Sequence, residues 1–191
     1  LTVYVPSLFI HPSKRAKYEI DDSGSGGFDQ MGRELGIRRL MAINLLKRLE
    51  SSVYSFRLTI QRVKAYVNQT IKIVEEFQNH KNNSQINMKD LSFDADYDFD
   101  DQNTTDIFAI GKKVQIDLND MDYISWLKDL KIDESILSGL ESLIEDITPE
   151  NDSKLQELIK IISNKIENPI NTDNKKVIVF SAFADTADYL Y

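Results

Sequence analysis

The sequence predicts a mainly α protein, a long heptad-patterned helix packed on several shorter helices, with short β-strands at both termini. Three observations carry this expectation. No glycine or proline falls between Ile37 and Ile110, and inside that span Leu46, Leu49, Val53, Phe56, Ile60, Val63, Val67, Thr70, Val74 and Phe77 recur at alternating spacings of three and four. Shorter apolar stripes of the same period return after residue 119. Both ends carry β-branched and aromatic runs, Val3-Tyr4-Val5 with Phe9-Ile10, and Val177-Ile178-Val179-Phe180.

Composition narrows the chemistry. The 191 residues are 41% apolar and 28% charged, the make-up of an ordinary globular chain, and the length suggests one domain or two. Acids outnumber bases 31 to 23, for a formal charge of -8. Zero cysteines exclude disulfides, thiolate metal sites and cysteine nucleophiles together. The two histidines, His11 and His80, stand 69 positions apart, which leaves little for a histidine-based metal or nucleophile site. No basic segment precedes the first apolar run, and Pro6 breaks it, so the start is not a signal peptide. No run approaches the roughly 20 apolar residues of a membrane span. The start at Leu1 and the stop at Tyr191 inside a helical pattern suggest a segment of a larger cytoplasmic protein.

In chain order, residues 1–27 read as a strand-like stretch followed by the linker Asp21-Asp22-Ser23-Gly24-Ser25-Gly26-Gly27. Those glycines do not make a phosphate loop, because no Gly-Lys-Ser/Thr follows and the dinucleotide spacing would need glycine where Asp29 stands. Residues 28–80 form the long helix, with Ser51, Ser52 and Ser55 a point where it is expected to bend. Residues 81–118 read as an acidic loop, with seven aspartates from Asp90 to Asp106. A calcium loop counted from Asp94 would need glycine at its sixth position and glutamate at its twelfth, where Phe99 and Thr105 stand.

Residues 119–168 form the helical partner of the seam. Ile124 and Leu127 mark one short helix, Ile136, Leu140, Leu143 and Ile147 a second, and Leu155, Leu158, Ile159, Ile162 and Ile166 a third that Asn168-Pro169 stops. Thr148-Pro149 and Ser153 with Gln156 compete as its N-terminal cap. Trp126 reads as a core anchor. Residues 174–191 read as strand, turn and helix, the opening of an α/β unit.

Three blocks carry a family resemblance. Asp152-Ser-Lys-Leu-Gln-Glu-Leu, followed by Lys-Lys-Val-Ile-Val-Phe-Ser-Ala-Phe-Ala-Asp-Thr-Ala-Asp-Tyr-Leu at 175–190, resembles the entry to the second RecA-like lobe of superfamily-two helicases, Swi/Snf-like branch. Arg38-Arg39-Leu40-Met41, running on through Leu-Lys47-Arg48-Leu49-Glu50-Ser51-Ser52 to Phe56, is similar to the inter-lobe helix of bacterial members. Tyr4-Val-Pro6-Ser7 with Tyr18 resembles the exit from the first lobe. The resemblance touches both ends and the long helix and leaves out the acidic tract. It implies a helical region linking two motor lobes, with ATP and magnesium as cofactors of the whole motor. Its turn lies near a nucleic-acid backbone, so Ser181 is expected to donate to a phosphate. Where the family often has glutamine after that serine, this chain has Ala182. The family's phosphate-binding loop, magnesium-binding acids and arginine finger are not in this sequence, so the segment is expected not to hydrolyse ATP alone.

Charge is uneven. Residues 28–73 hold nine bases against three acids, or +6, while residues 81–191 hold eleven against 23, or -12. Arg38, Arg39, Lys47 and Arg48 are candidates to neutralise phosphates of duplex DNA. The same bases also suit a solvated face paired with neighbouring acids, and Glu50 is spaced to pair with Lys47. The alternative function is a helical coiled-coil adaptor whose seam recruits a protein. No catalytic constellation, cofactor site or metal site can be assembled within the chain, and no membrane partner is expected.

Overall fold

The computed structural model describes residues 1–18, 30–79 and 116–191. Three 3₁₀ turns (Thr2–Tyr4, Pro6–Phe9, Pro12–Lys17) lead to α1 (Gln30–Ser51) and α2 (Val53–Asn79). After another 3₁₀ turn (Leu118–Asp120) come α3 (Tyr123–Glu145), α4 (Ser153–Glu167) and the short α5 (Ala184–Leu190). The architecture is helical, a long helix packing on shorter ones, with no sheet among the described residues.

The core is an antiparallel pairing of α2 with α3. Phe77 meets Tyr123 edge-on at 5.3 Å, Glu75 pairs with Lys131, Lys64 with Glu141, and Arg57 donates to the Ile144 and Ile147 carbonyls at the other end. Ile60, Val63, Val67 and Val74 of α2 are sealed against Trp126, Leu130 and Leu137 of α3. Each such side chain contributes roughly 1.5–3 kcal/mol by leaving water. Thr70, the polar member of the seam, is fully buried and returns its hydroxyl to the Tyr66 carbonyl at 2.9 Å, so no donor is stranded. Trp126 anchors the core and donates its indole N–H to the Thr2 carbonyl.

Four sequence expectations are corrected. The long helix breaks at Ser52, and the seam is buried only from Phe56 onward; Leu46 and Leu49 stay exposed on α1. The two short helices expected at 124–147 are one helix, because its buried stripe is Trp126, Leu127, Leu130, Asp133, Leu137 and Ile144, while Ile124, Ile136 and Leu143 face solvent. The stripe of α4 does not pack on the seam, since α4 buries no residue; its cap is Asp152, which accepts the Lys154 and Leu155 N–H groups, in place of Thr148 or Ser153. The terminal strands do not form. At the N-terminus Pro6 and Pro12 open 3₁₀ turns, and Val3, Tyr4 and Val5 are all buried where a half-buried strand would alternate. One isolated bridge, Ile10 with Met121, is the strand-like pairing there. At the C-terminus 177–180 has no regular secondary structure and pairs with no strand among the described residues, Ile178 77% and Phe180 90% exposed. The linker at 21–27, His80, the acidic tract and the calcium-loop test lie outside the described residues.

Two buried carboxylates tie the N-terminal turns to the helices. Glu34 of α1, 1% exposed, accepts the Ser7 N–H at 2.9 Å and its hydroxyl at 2.7 Å, and Asp133 of α3 accepts the Thr2 N–H and hydroxyl. A third acid, Asp120, receives Lys17 at 2.6 Å, Tyr18 at 2.7 Å and Lys14 at 3.5 Å. Lys17, then Tyr18, pull its carboxyl down to about 2 from 3.8.

Two outcomes follow. Ile60→Ala should cost about 2–5 kcal/mol in urea unfolding, whereas Leu143→Ala, at a site 76% exposed, should stay within about 0.5 kcal/mol. A depressed carboxyl stabilises above its unfolded pKa and loses that contribution as pH falls through its folded one. Asp120→Asn should therefore flatten the loss of stability between about pH 4 and pH 2, read by unfolding at stepped pH, and leave neutral-pH dependence unchanged.

Candidate functional site

The break at Ser52 is built from serines, which bond their own backbone and so compete with helix. Ser52 Oγ accepts the Ser55 N–H at 3.0 Å, the N-cap arrangement for α2. The ladder otherwise continues, with Ser52 N–H donating to the Arg48 carbonyl at 2.9 Å and Phe56 N–H to the Ser52 carbonyl at 3.1 Å. In an uninterrupted helix the Ser51 carbonyl would receive the Ser55 N–H. Here Lys154 Nζ, from the first turn of α4, donates to the carbonyls of Ser51, at 3.0 Å, and Glu50.

The C-terminal segment closes on the same point. Asp185 lies between Arg48 of α1, at 2.6 Å, and Arg62 of α2, at 3.4 Å. Arg48 is 5% exposed, lies 4.8 Å over the Phe183 ring and donates to Ser55 Oγ. The Thr186 hydroxyl shares hydrogen bonds with Ser51 Oγ at 2.7 Å and Ser52 Oγ at 2.9 Å. Tyr189 stacks on Tyr54, centroids 4.9 Å apart and planes within 5°, and donates to Asp152 at 3.1 Å. Partial burial, then that carboxylate, raises the Tyr189 phenol above its ordinary range.

Beside this joint a groove of about 1240 Å³ runs between α1, α4 and the C-terminal segment. Leu40, Ile43 and Lys47 of α1, Leu158 and Ile161 of α4 and Phe180 of the C-terminal segment line it. Among the described residues no group of His, Cys, Asp and Glu could hold a metal ion. None of the described helices is long and apolar enough to cross a membrane.

The residues expected to meet phosphate are scattered. Arg38 and Arg39 are exposed on α1. At about 100° per residue, Arg38 and Lys47 lie on opposite sides of the helix, so the four bases do not make one face. Arg48 is a correction: Asp185 and Phe183 hold it inside the joint, turned away from any ligand at the surface. Ser181 is exposed at the turn, where its hydroxyl bonds the Phe183 carbonyl and accepts the Phe183 N–H, both at 3.1 Å. From the sequence Asp185, Thr186 and Lys154 have no assigned contact, and Ser51 and Ser52 mark only the bend of the helix. Arg48, in the last turn of α1, has its acidic partner 137 positions away, which no local spacing reveals.

Neither a family model, a curated protein nor a solved structure matches the chain.

Arg48→Met removes one partner of a buried pair and should cost up to about 3–5 kcal/mol in urea unfolding, the low end where Arg62 retains Asp185. Lys47→Met, one position away and exposed, should change stability by less than about 0.5 kcal/mol.

Proposed function

We propose that this chain is the helical region that links and couples the two motor lobes of an ATP-dependent, helicase-like nucleic-acid translocase of the Swi/Snf-like type. The observation that supports it is the meeting of blocks remote in sequence. Two of the three with the resemblance, Arg48 to Ser52 on one side and Asp152 to Leu155 with Ser181 to Leu190 on the other, make polar contacts with one another, while Ser7 and Tyr18 of the third bond Glu34 and Asp120 instead. Motifs that belong to one working unit would converge in this way. Unrelated matches would have no reason to.

In this reading α1, α2 and the joint form a stiff connection, and the segment 177–190 carries the joint toward the second lobe. ATP and magnesium act in the lobes, through phosphate-binding and arginine-finger motifs that this segment does not supply. Duplex DNA is gripped through its backbone by the adjacent Arg38 and Arg39, with Ser181 near a phosphate, while Lys47 stands on the opposite side of α1 from Arg38. The setting is cytoplasmic. The alternative, a helical adaptor for a protein partner, draws on a different observation: Leu40, Ile43, Leu46 and Leu49 of α1 are each 42–63% exposed. The seam from Phe56 onward is not its recruiting surface, because α3 covers it.

Anisotropy titration with duplex DNA across a salt series separates the two. The translocase reading expects binding at low salt that weakens as salt rises, and Arg38→Glu with Arg39→Glu should flatten the log-affinity against log-salt slope by about 2. Self-association with no DNA binding at low salt would overturn it in favour of the adaptor.

A further inference from the structure

We propose that residues 181–190 form a detachable ionic latch on the α1–α2 joint, able to open as a unit while the α2–α3 bundle stays folded. This concerns how the chain holds its own C-terminal segment and stands whether or not the translocase reading does. The first support is the scarcity of apolar burial. Of α5 only Thr186 is buried, and the preceding 177–180 is exposed throughout. Hydrophobic closure therefore contributes little to keeping the segment in place.

The second support is the kind of contact that replaces it. One carboxylate, Asp185, bridges guanidinium groups from two different helices, Arg48 of α1 and Arg62 of α2. One hydroxyl, Thr186, bridges the two serines on either side of the point where α1 ends. The Tyr54–Tyr189 stack lies at the far end of α5. These contacts are ionic or between hydroxyls and are only partly enclosed on the side of Asp185 and Arg62, whose side chains are 16% and 20% exposed, so salt weakens them less than a surface pair but more than the sealed α2–α3 core. A region with few buried apolar contacts sits at the low end of the local opening scale, so the two units open at different free energies.

The third support is that the joint keeps its shape by itself. Ser52 caps α2 with its own hydroxyl, Lys154 takes the carbonyls of Glu50 and Ser51, and Glu34 fastens α1 to Ser7. Withdrawing Asp185 and Thr186 leaves each of those bonds in place. The receiving surface persists when the latch leaves, which lets the segment return to it.

The absence of native cysteine makes the motion measurable. Spin labels on Ala65→Cys in α2 and Asp188→Cys in α5, both exposed positions, report the latch distance by pulsed dipolar spectroscopy. At low salt the otherwise native chain should give one narrow, short distance. At about 1 M salt, where the screening length is about 3 Å, a second, longer population should grow, and Asp185→Asn should show that population already at low salt. Tyr189→Phe, which keeps the ring stack and drops the bond to Asp152, should behave as the native chain does. Near-ultraviolet circular dichroism of Trp126 should be unchanged in every case, which separates opening from unfolding. A single short distance in Asp185→Asn at both salts would overturn the latch. So would a longer distance that arises only together with loss of the Trp126 signal.

Discussion

A helix that breaks must dispose of the backbone groups it frees, and here that requirement organises the molecule. The Ser55 N–H goes to Ser52 Oγ and the Ser51 carbonyl to Lys154, so the interruption between α1 and α2 leaves both groups satisfied. The group that accepts comes from the helix itself, and the group that donates comes from α4. The break is therefore local in origin and tertiary in completion. Asp185 then gathers a cation from each side of it, which fixes where the C-terminal segment lies.

The other end of the molecule obeys a similar rule. At the joint, cations gather on one carboxylate, Asp185, and a second, Asp152, takes the Tyr189 hydroxyl, whereas the N-terminal turns are fastened by three carboxylates, Glu34, Asp133 and Asp120, on three separate elements. The first N–H groups of a 3₁₀ turn, like those of an α-helix, have no partner within the turn, and acids aimed at Ser7 and Thr2 meet that need. Both ends of the described chain are therefore held by polar groups. The apolar contribution is concentrated between α2 and α3.

That division explains what was legible in advance. The α2 stripe from Phe56 to Phe77 follows from spacing alone, because a seam buried against one partner has the period of the helix, and Trp126 as a core anchor follows from its size. The serine cluster marked the position of the bend. The 124–147 region misled because Ile124, Ile136 and Leu143 are apolar and exposed, while Asp133 is buried and polar, so the printed pattern had the wrong phase. Val177 to Phe180 has a strand's composition, but a strand exists only with a neighbour to take its backbone groups. The joint itself was out of reach of periodicity. Arg48 reads as one more base on a basic helix until the fold brings Asp185 to it.

One shape has mechanical meaning. α4 buries no residue and is held at its root, where Asp152 meets Tyr189 and Lys154 meets the end of α1. It is a cantilever. Fifteen residues give a beam of about 22 Å at 1.5 Å each, so a tilt of about 10° at the root carries the tip by about 4 Å. A load applied near Ile166 acts on Lys154 with the full leverage of that length, and a slight shift of Lys154 is magnified by the same ratio at the tip.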